Sequence, residues 1–199
     1  MDTKQRIQQS ISDSIHVKQK LLEDEDLIRR IADVSLHMIE ALGRGNRVIF
    51  AGNGGSAADA QHLAAEFVSR FEFDRPGLPA LSLATDTSMI TAIGNDYGYE
   101  RLFLRQLQAQ ARPGDVFVGI TTSGKSPNIL AAFDACTQLQ VTSVALCGLG
   151  GELDDKVDYL LRVPSQHTPR IQECHILIGH MICAEVEFQI FGHLAPQVQ

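Results

Sequence analysis

The sequence predicts an α/β fold in which a parallel sheet is covered by helices on both faces. Three observations carry that prediction. Five short runs are apolar almost throughout, helical segments separate most of them, and two polar glycine loops fall at the carboxyl ends of strand-like runs. Strands buried on both faces read as near-continuous apolar segments, and ligands of such folds bind beyond strand carboxyl ends.

In chain order, residues 2–21 and 24–43 read as two helices. The second carries Leu27, Ile28, Ile31, Val34, Met38, Ile39 and Leu42 at helical spacing, and Gly43 and Gly45 stop it. Strands follow over 47–51, 79–84, 115–120, 141–146 and 158–163, with helices near 56–70, 87–96, 99–110 and 126–139 and a long closing helix near 168–191. No repeat, linker or low-complexity tract interrupts this pattern, so residues 1–199 read as one domain with residues 1–45 as an N-terminal helical extension.

Composition excludes several function classes. The 17 Lys and Arg residues are scattered within a net charge of -7, which argues against a nucleic-acid partner. No apolar stretch reaches the ~18 residues of a membrane span, and the polar N-terminus lacks a signal-peptide core. Cys136, Cys147, Cys174 and Cys183 have no C-x-x-C spacing and read as reduced thiols of a cytoplasmic protein.

The chemistry concentrates in two loops. Gly52-Asn53-Gly54-Gly55-Ser56 joins a strand to a helix, the geometry in which backbone N–H groups face an anion. His62 and Glu66 lie one turn apart on one face of that helix. The second loop, Gly119-Ile120-Thr121-Thr122-Ser123-Gly124-Lys125-Ser126, matches the nucleotide-binding pattern G-x-x-x-x-G-K-S literally. That reading is set aside. Later strands end at Cys147-Gly148 and Pro164-Ser165 without a metal-binding acid, and Pro127 cuts into the helix start. The hydroxyls of Thr121, Thr122, Ser123 and Ser126 suit a sugar phosphate instead, with plain helix capping as the alternative.

Three segments in order form a further pattern: the first loop with His62 and Glu66, the second loop, and Arg170-Ile171-Gln172-Glu173-Cys174-His175 continuing to His180. With Arg75-Pro76-Gly77-Leu78-Pro79 and Gly94-Asn95-Asp96 between them, they resemble the sugar isomerase (SIS) domain and, within it, the phosphoheptose isomerase (sedoheptulose 7-phosphate isomerase) family. The resemblance implies a five-stranded parallel sheet flanked by helices, a homotetramer with active sites between subunits, and zinc. It implies that Asn53, Gly54, Gly55, Ser56, Asn95 and Asp96 contact substrate, with Thr121, Thr122, Ser123 and Ser126 at the phosphate. It implies a metal site of His62, Glu66, Gln172 and His180, with Gln172 and Glu66 also touching substrate and Glu66 and His180 transferring protons. The implied reaction converts D-sedoheptulose 7-phosphate to D-glycero-D-manno-heptose 7-phosphate through an enediol, feeding ADP-heptose and surface polysaccharide such as lipopolysaccharide.

Lys125 departs from the family, which usually has Asn there, and Thr121 replaces the usual Ser. Two alternatives come with the resemblance: a non-catalytic tetramer that binds a replication initiator, and an isomerase or sensor for another sugar phosphate. Retention of Glu66 and His180 speaks for the enzyme, while Lys125 lends the second alternative weight. The other histidines divide by setting. His37, His167 and His193 read as surface or hydrogen-bonded groups, and His16 and His175 are left open. Cys174 falls on another helix face from His180, and Cys183 reads as packing.

Overall fold

A computed structural model describes residues 1–196. Its centre is a five-stranded sheet in the order β2-β1-β3-β4-β5, parallel throughout. The strands are β1 (Val48–Gly52), β2 (Ala80–Ser82), β3 (Val116–Thr121), β4 (Thr142–Cys147) and β5 (Tyr159–Arg162). Every residue of β1 and β3 is buried, which explains their lack of alternation in sequence. The two-residue period reappears in which face each side chain fills. Val48, Phe50, Val116 and Val118 join one core cluster, whereas Ile49, Ala51 and Phe117 join the other.

The helices divide accordingly. Helices α2 (Glu25–Gly43), α3 (Gly55–Val68) and α7 (Thr168–Phe191) pack on the first face. Helices α5 (Leu102–Gln110) and α6 (Pro127–Leu139) pack on the second, with α4 (Thr87–Tyr97) lying over them without a single buried residue. Helix α1 (Thr3–Glu23) precedes the sheet, opened by a capping box between Asp2 and Gln5. Asp24 ends α1 and accepts from Leu27 N to start α2, so one residue sets the corner between them.

Several boundaries differ from expectation for local reasons. The run 79–84 pairs only over Ala80–Ser82, because β2 is an edge strand supported by β1 alone. Gly98, at φ 86°, separates α4 from a single 3-10 turn over Tyr99–Arg101, so the helix expected at 99–110 becomes regular only from Leu102. Ile28 is 40% exposed, off the buried stripe of α2. The expectation that no apolar stretch is long enough to span a membrane needs correction. The segment Thr168–Leu194 is long and apolar enough, yet in the fold α7 is a core helix against α2 and α3.

His175 on α7 is fully buried, and neither ring nitrogen has a hydrogen-bond partner of good geometry. Burial pushes its pKa down from 6.5 to about 4, opposed in part by the Cys147 backbone carbonyl. The unfolded chain therefore binds the additional proton between those two values, and stability falls as pH falls through that window. Urea unfolding at pH 7, 5.5 and 4.5 should show that loss. In His175→Gln the dependence should flatten by up to about 1.4 kcal/mol per pH unit.

Candidate active site

Helix α3 starts directly from the loop that ends β1, and α7 runs beside it. The close approach depends on Gly179, where any Cβ would strike the side chain of Leu63. The consequence lies at the neighbouring residues, His62 just before Leu63 and His180 just after Gly179. His62 Nε2 and His180 Nε2 are 2.9 Å apart, and His62 Nε2 is 3.3 Å from Glu66 Oε1. Ligand atoms of all three residues lie within 4.8 Å of one another.

Two imidazole nitrogens at that separation repel unless a proton or a cation lies between them, and the carboxylate adds negative charge to the same point. Two imidazoles and one carboxylate suit a divalent ion such as zinc. Gln172 approaches from another direction. Its carboxamide packs against Gly55, where a Cβ would collide with it. Along α7 it stands eight residues from His180, about 12 Å of helical rise. Gln172 thus borders the first glycine loop, while His62, Glu66 and His180 converge deeper along α3.

The first loop holds Asn53, Gly54, Gly55 and Ser56, with Gly54 at φ 54° before α3. The start of a helix presents N–H groups to an anion, although Ser56 N and Ala57 N of α3 here donate to the Asn53 and Gly54 carbonyls. The second loop follows the adjacent strand, since Gly52 of β1 is in register with Ile120 of β3. Thr121 Oγ1 and Ser126 Oγ lie 3.0 Å apart, and Ser123 Oγ accepts from Lys125 N. The Ser126 side chain makes no capping bond to α6, so the plain capping role does not explain it. Gly124 and Gly151, both at positive φ, pack backbone against backbone, so the loop after β4 buttresses the hydroxyl-rich turn. Lys125 is exposed and lines a groove with Glu152 and Lys156. Asn95 and Asp96 are exposed near the end of α4, with Asn95 Nδ2 donating to Asp96 Oδ1.

Glu187, which the sequence did not single out, and Arg75 of the family pattern hold this arrangement together. Glu187 lies two turns beyond His180 on α7 and accepts from the backbone N–H groups of Phe71 and Glu72 and from Arg75 Nε. Arg75 in turn donates to the carbonyls of Glu66 at 2.8 Å and Phe67 at 2.7 Å, groups that the end of α3 leaves unpaired. Both side chains are at most 2% exposed. The same loop sets the Phe71 ring 5.3 Å from the His180 ring. Two acids, Glu185 and Glu187, flank Val186 in an apolar run, and only packing shows that Glu187 is the buried one that requires a partner. The remaining histidines are accounted for. His37 Nε2 bonds Thr142 Oγ1, and His16, His167 and His193 are exposed. Cys183 is buried in the core, as is Cys174.

Known proteins share this fold and much of this sequence. Residues 13–148 match the model of the SIS domain family. Phosphoheptose isomerase 2 of Campylobacter jejuni subsp. jejuni serotype O:2 is 59% identical over 182 residues, 91% of this chain and 90% of its own. Phosphoheptose isomerase of Aneurinibacillus thermoaerophilus is 58% identical, covering 93% of this chain and 94% of its own. Among solved structures, phosphoheptose isomerase GmhA from Neisseria gonorrhoeae superposes with a TM-score of 0.87 at 39% identity, over 94% of this chain and 99% of that one. A phosphoheptose isomerase from Francisella tularensis gives 0.89 at 37% identity, over 94% and 98%.

The Arg75–Glu187 pair makes a prediction about stability. Burial raises the Glu187 pKa, but the N–H groups of Phe71 and Glu72 together with Arg75 outweigh it and hold the carboxyl below 4.5. Its contribution is complete above the unfolded value and is lost as pH falls through the lower folded one. Glu187→Gln should cost about 3–5 kcal/mol at pH 7 in denaturant unfolding, because it strands Arg75 as a buried charge. The variant should also lose the part of the acid sensitivity that lies below pH 4.5.

Proposed function

The chain belongs to the SIS domain family and, within it, to the phosphoheptose isomerases, and we infer that it interconverts D-sedoheptulose 7-phosphate and D-glycero-D-manno-heptose 7-phosphate. The observation that carries this reading is the convergence of His62, Glu66 and His180 beside two anion-facing loops. The reaction moves a proton between C1 and C2 of the sugar through an enediol. The Glu66 carboxylate removes the proton from C1 and returns it at C2, and His180 exchanges a proton with the oxygens of the same two carbons. The hydroxyls of Thr121, Thr122, Ser123 and Ser126, with the start of α6, hold the phosphate at the far end of the chain. The first loop, from Asn53 to Ser56, holds the sugar near the reacting carbons, with Gln172, Asn95 and Asp96 as further contacts. Fixing the two ends together turns substrate binding into alignment of C1 with Glu66.

His62, Glu66 and His180, joined by Gln172, are the residues that would hold zinc. When bound, the ion supplies Lewis-acid polarisation of the substrate carbonyl. In this assignment Glu66 would serve both as ligand and as base, and a carboxylate held by zinc would be the weaker base.

The assembly proposed is a homotetramer. Ile7, Ile11 and Ile15 are 57–62% exposed at four-residue spacing on α1, an apolar stripe that the isolated chain leaves uncovered. A cytoplasmic setting and delivery of product to ADP-heptose and lipopolysaccharide synthesis complete the reading.

Incubation with sedoheptulose 7-phosphate, followed by NMR, should show the aldose product. Glu66→Gln keeps the shape of the base but cannot take the proton, so kcat should fall by about 10²–10⁴-fold while substrate still binds. Near-normal kcat in that variant removes Glu66 from the base role. Zinc content gives a separate readout. Purified protein should carry zinc, and His62→Ala and His180→Ala should each lower the metal measured by mass spectrometry. Full activity in chelated, metal-free protein overturns the zinc assignment.

A further inference from the structure

Asn53, expected to contact substrate, has its side chain already engaged. Its Nδ2 donates to Asn128 Oδ1 at 2.9 Å, and Asn128 Nδ2 donates back to Asn53 Oδ1 at 2.9 Å. Tyr99 Oη donates to the same Asn53 Oδ1 at 3.0 Å. Asn53 thus turns its carboxamide toward Asn128 and Tyr99, and offers a ligand the backbone of its loop. Asn128 is 2% exposed and stands 75 residues away in sequence, in the first turn of α6. It sits two residues after Ser126, the last hydroxyl of the phosphate turn.

The two loops therefore meet twice. Their roots are held by the ladder between β1 and β3. Beyond the ladder, Asn53 at the start of the first loop and Asn128 in the first turn of α6 are held by a reciprocal carboxamide pair, the one arrangement in which each amide offers its donor to the other's acceptor. One loop leads into the helix that carries Glu66, and the other grips phosphate. The distance between them is the distance a substrate must span between its reacting carbon and its phosphate.

We propose that Asn128 is a positioning residue for the isomerisation, coupling the phosphate turn to the loop that opens α3 through its paired hydrogen bonds with Asn53. The proposal rests on the isomerase reading of the two loops. Asn128 touches no reacting atom in this role. Its loss leaves the phosphate turn with its own hydroxyls intact, and releases the register between phosphate and base. A small misplacement of that kind lowers kcat by up to about 100-fold.

Steady-state kinetics of Asn128→Ala, Asn53→Ala and the double variant test it. Each single change should lower kcat about 10–100-fold, and the double variant should lose little more than the worse single, because both remove one shared interaction. Inhibition by inorganic phosphate should stay near the parent value, since the phosphate turn is unaltered. Multiplicative losses in the double variant, or phosphate affinity falling in step with kcat, overturn the proposal.

A second arm does not depend on turnover or on the alanine variants folding. Saturating inorganic phosphate should shift the backbone amide resonances of Asn53, Gly54 and Gly55 in the parent protein. Asn128→Asp keeps the side-chain volume but faces one acceptor with another, so it should abolish that shift. Equal shifts in both proteins overturn the coupling. Inactivity of the parent toward sedoheptulose 7-phosphate, with the shifts transmitted as expected, counts against the isomerase reading alone.

Discussion

The buried ion pair between Arg75 and Glu187 is the constraint on which the site depends. Two charges removed from water are costly, and the pair is tolerable because its polar atoms are put to use. Glu187 gathers the turning backbone of Phe71 and Glu72, while Arg75 closes the open carbonyls at the end of α3. The carbonyl of Glu66 is one of them, so the residue proposed as base is tied through its own backbone to the helix that carries His180. The geometry of the proposed proton-transfer pair is thus set by a contact that touches neither side chain.

Around that anchor the fold works by close approach. Gly179 lets α3 and α7 come near enough for His62 and His180 to share one point, and Gly124 with Gly151 lets the loop after β4 support the hydroxyl-rich turn. The parallel ladder sets the two glycine loops side by side because β1 and β3 are neighbours in the sheet and not in sequence. By contrast α4, which carries Asn95 and Asp96, buries no residue. The site combines a rigid floor of strands and core helices with a lightly held flank.

The fold was largely legible in the sequence, because its signals are local. The apolar runs of β1, β3 and β4 allow burial on both faces and little else, and the spacing from Leu27 to Leu42 on α2 can serve only one buried stripe. Legibility failed where a neighbour decides the outcome. The run 79–84 has strand composition throughout, yet only Ala80–Ser82 is in ladder register with β1, flanked by single bonds at Pro79 and Leu83. His175 was undecidable from sequence, since its full burial depends on packing that no local pattern reports.

The residues of the candidate site divide in the same way. By itself the sequence determined the two glycine loops, the facing of His62 and Glu66 on one helix, and the family pattern that adds Gln172 and His180, because helical periodicity and motif spacing act within a few residues. Only the tertiary structure decided that His180 meets His62, that the Gln172 carboxamide packs against Gly55, and that Asn128 and Tyr99 occupy the carboxamide of Asn53. It alone joined Arg75 to Glu187 across 112 residues. These contacts link segments far apart in the chain, and their distances are fixed by how the helices and strands pack.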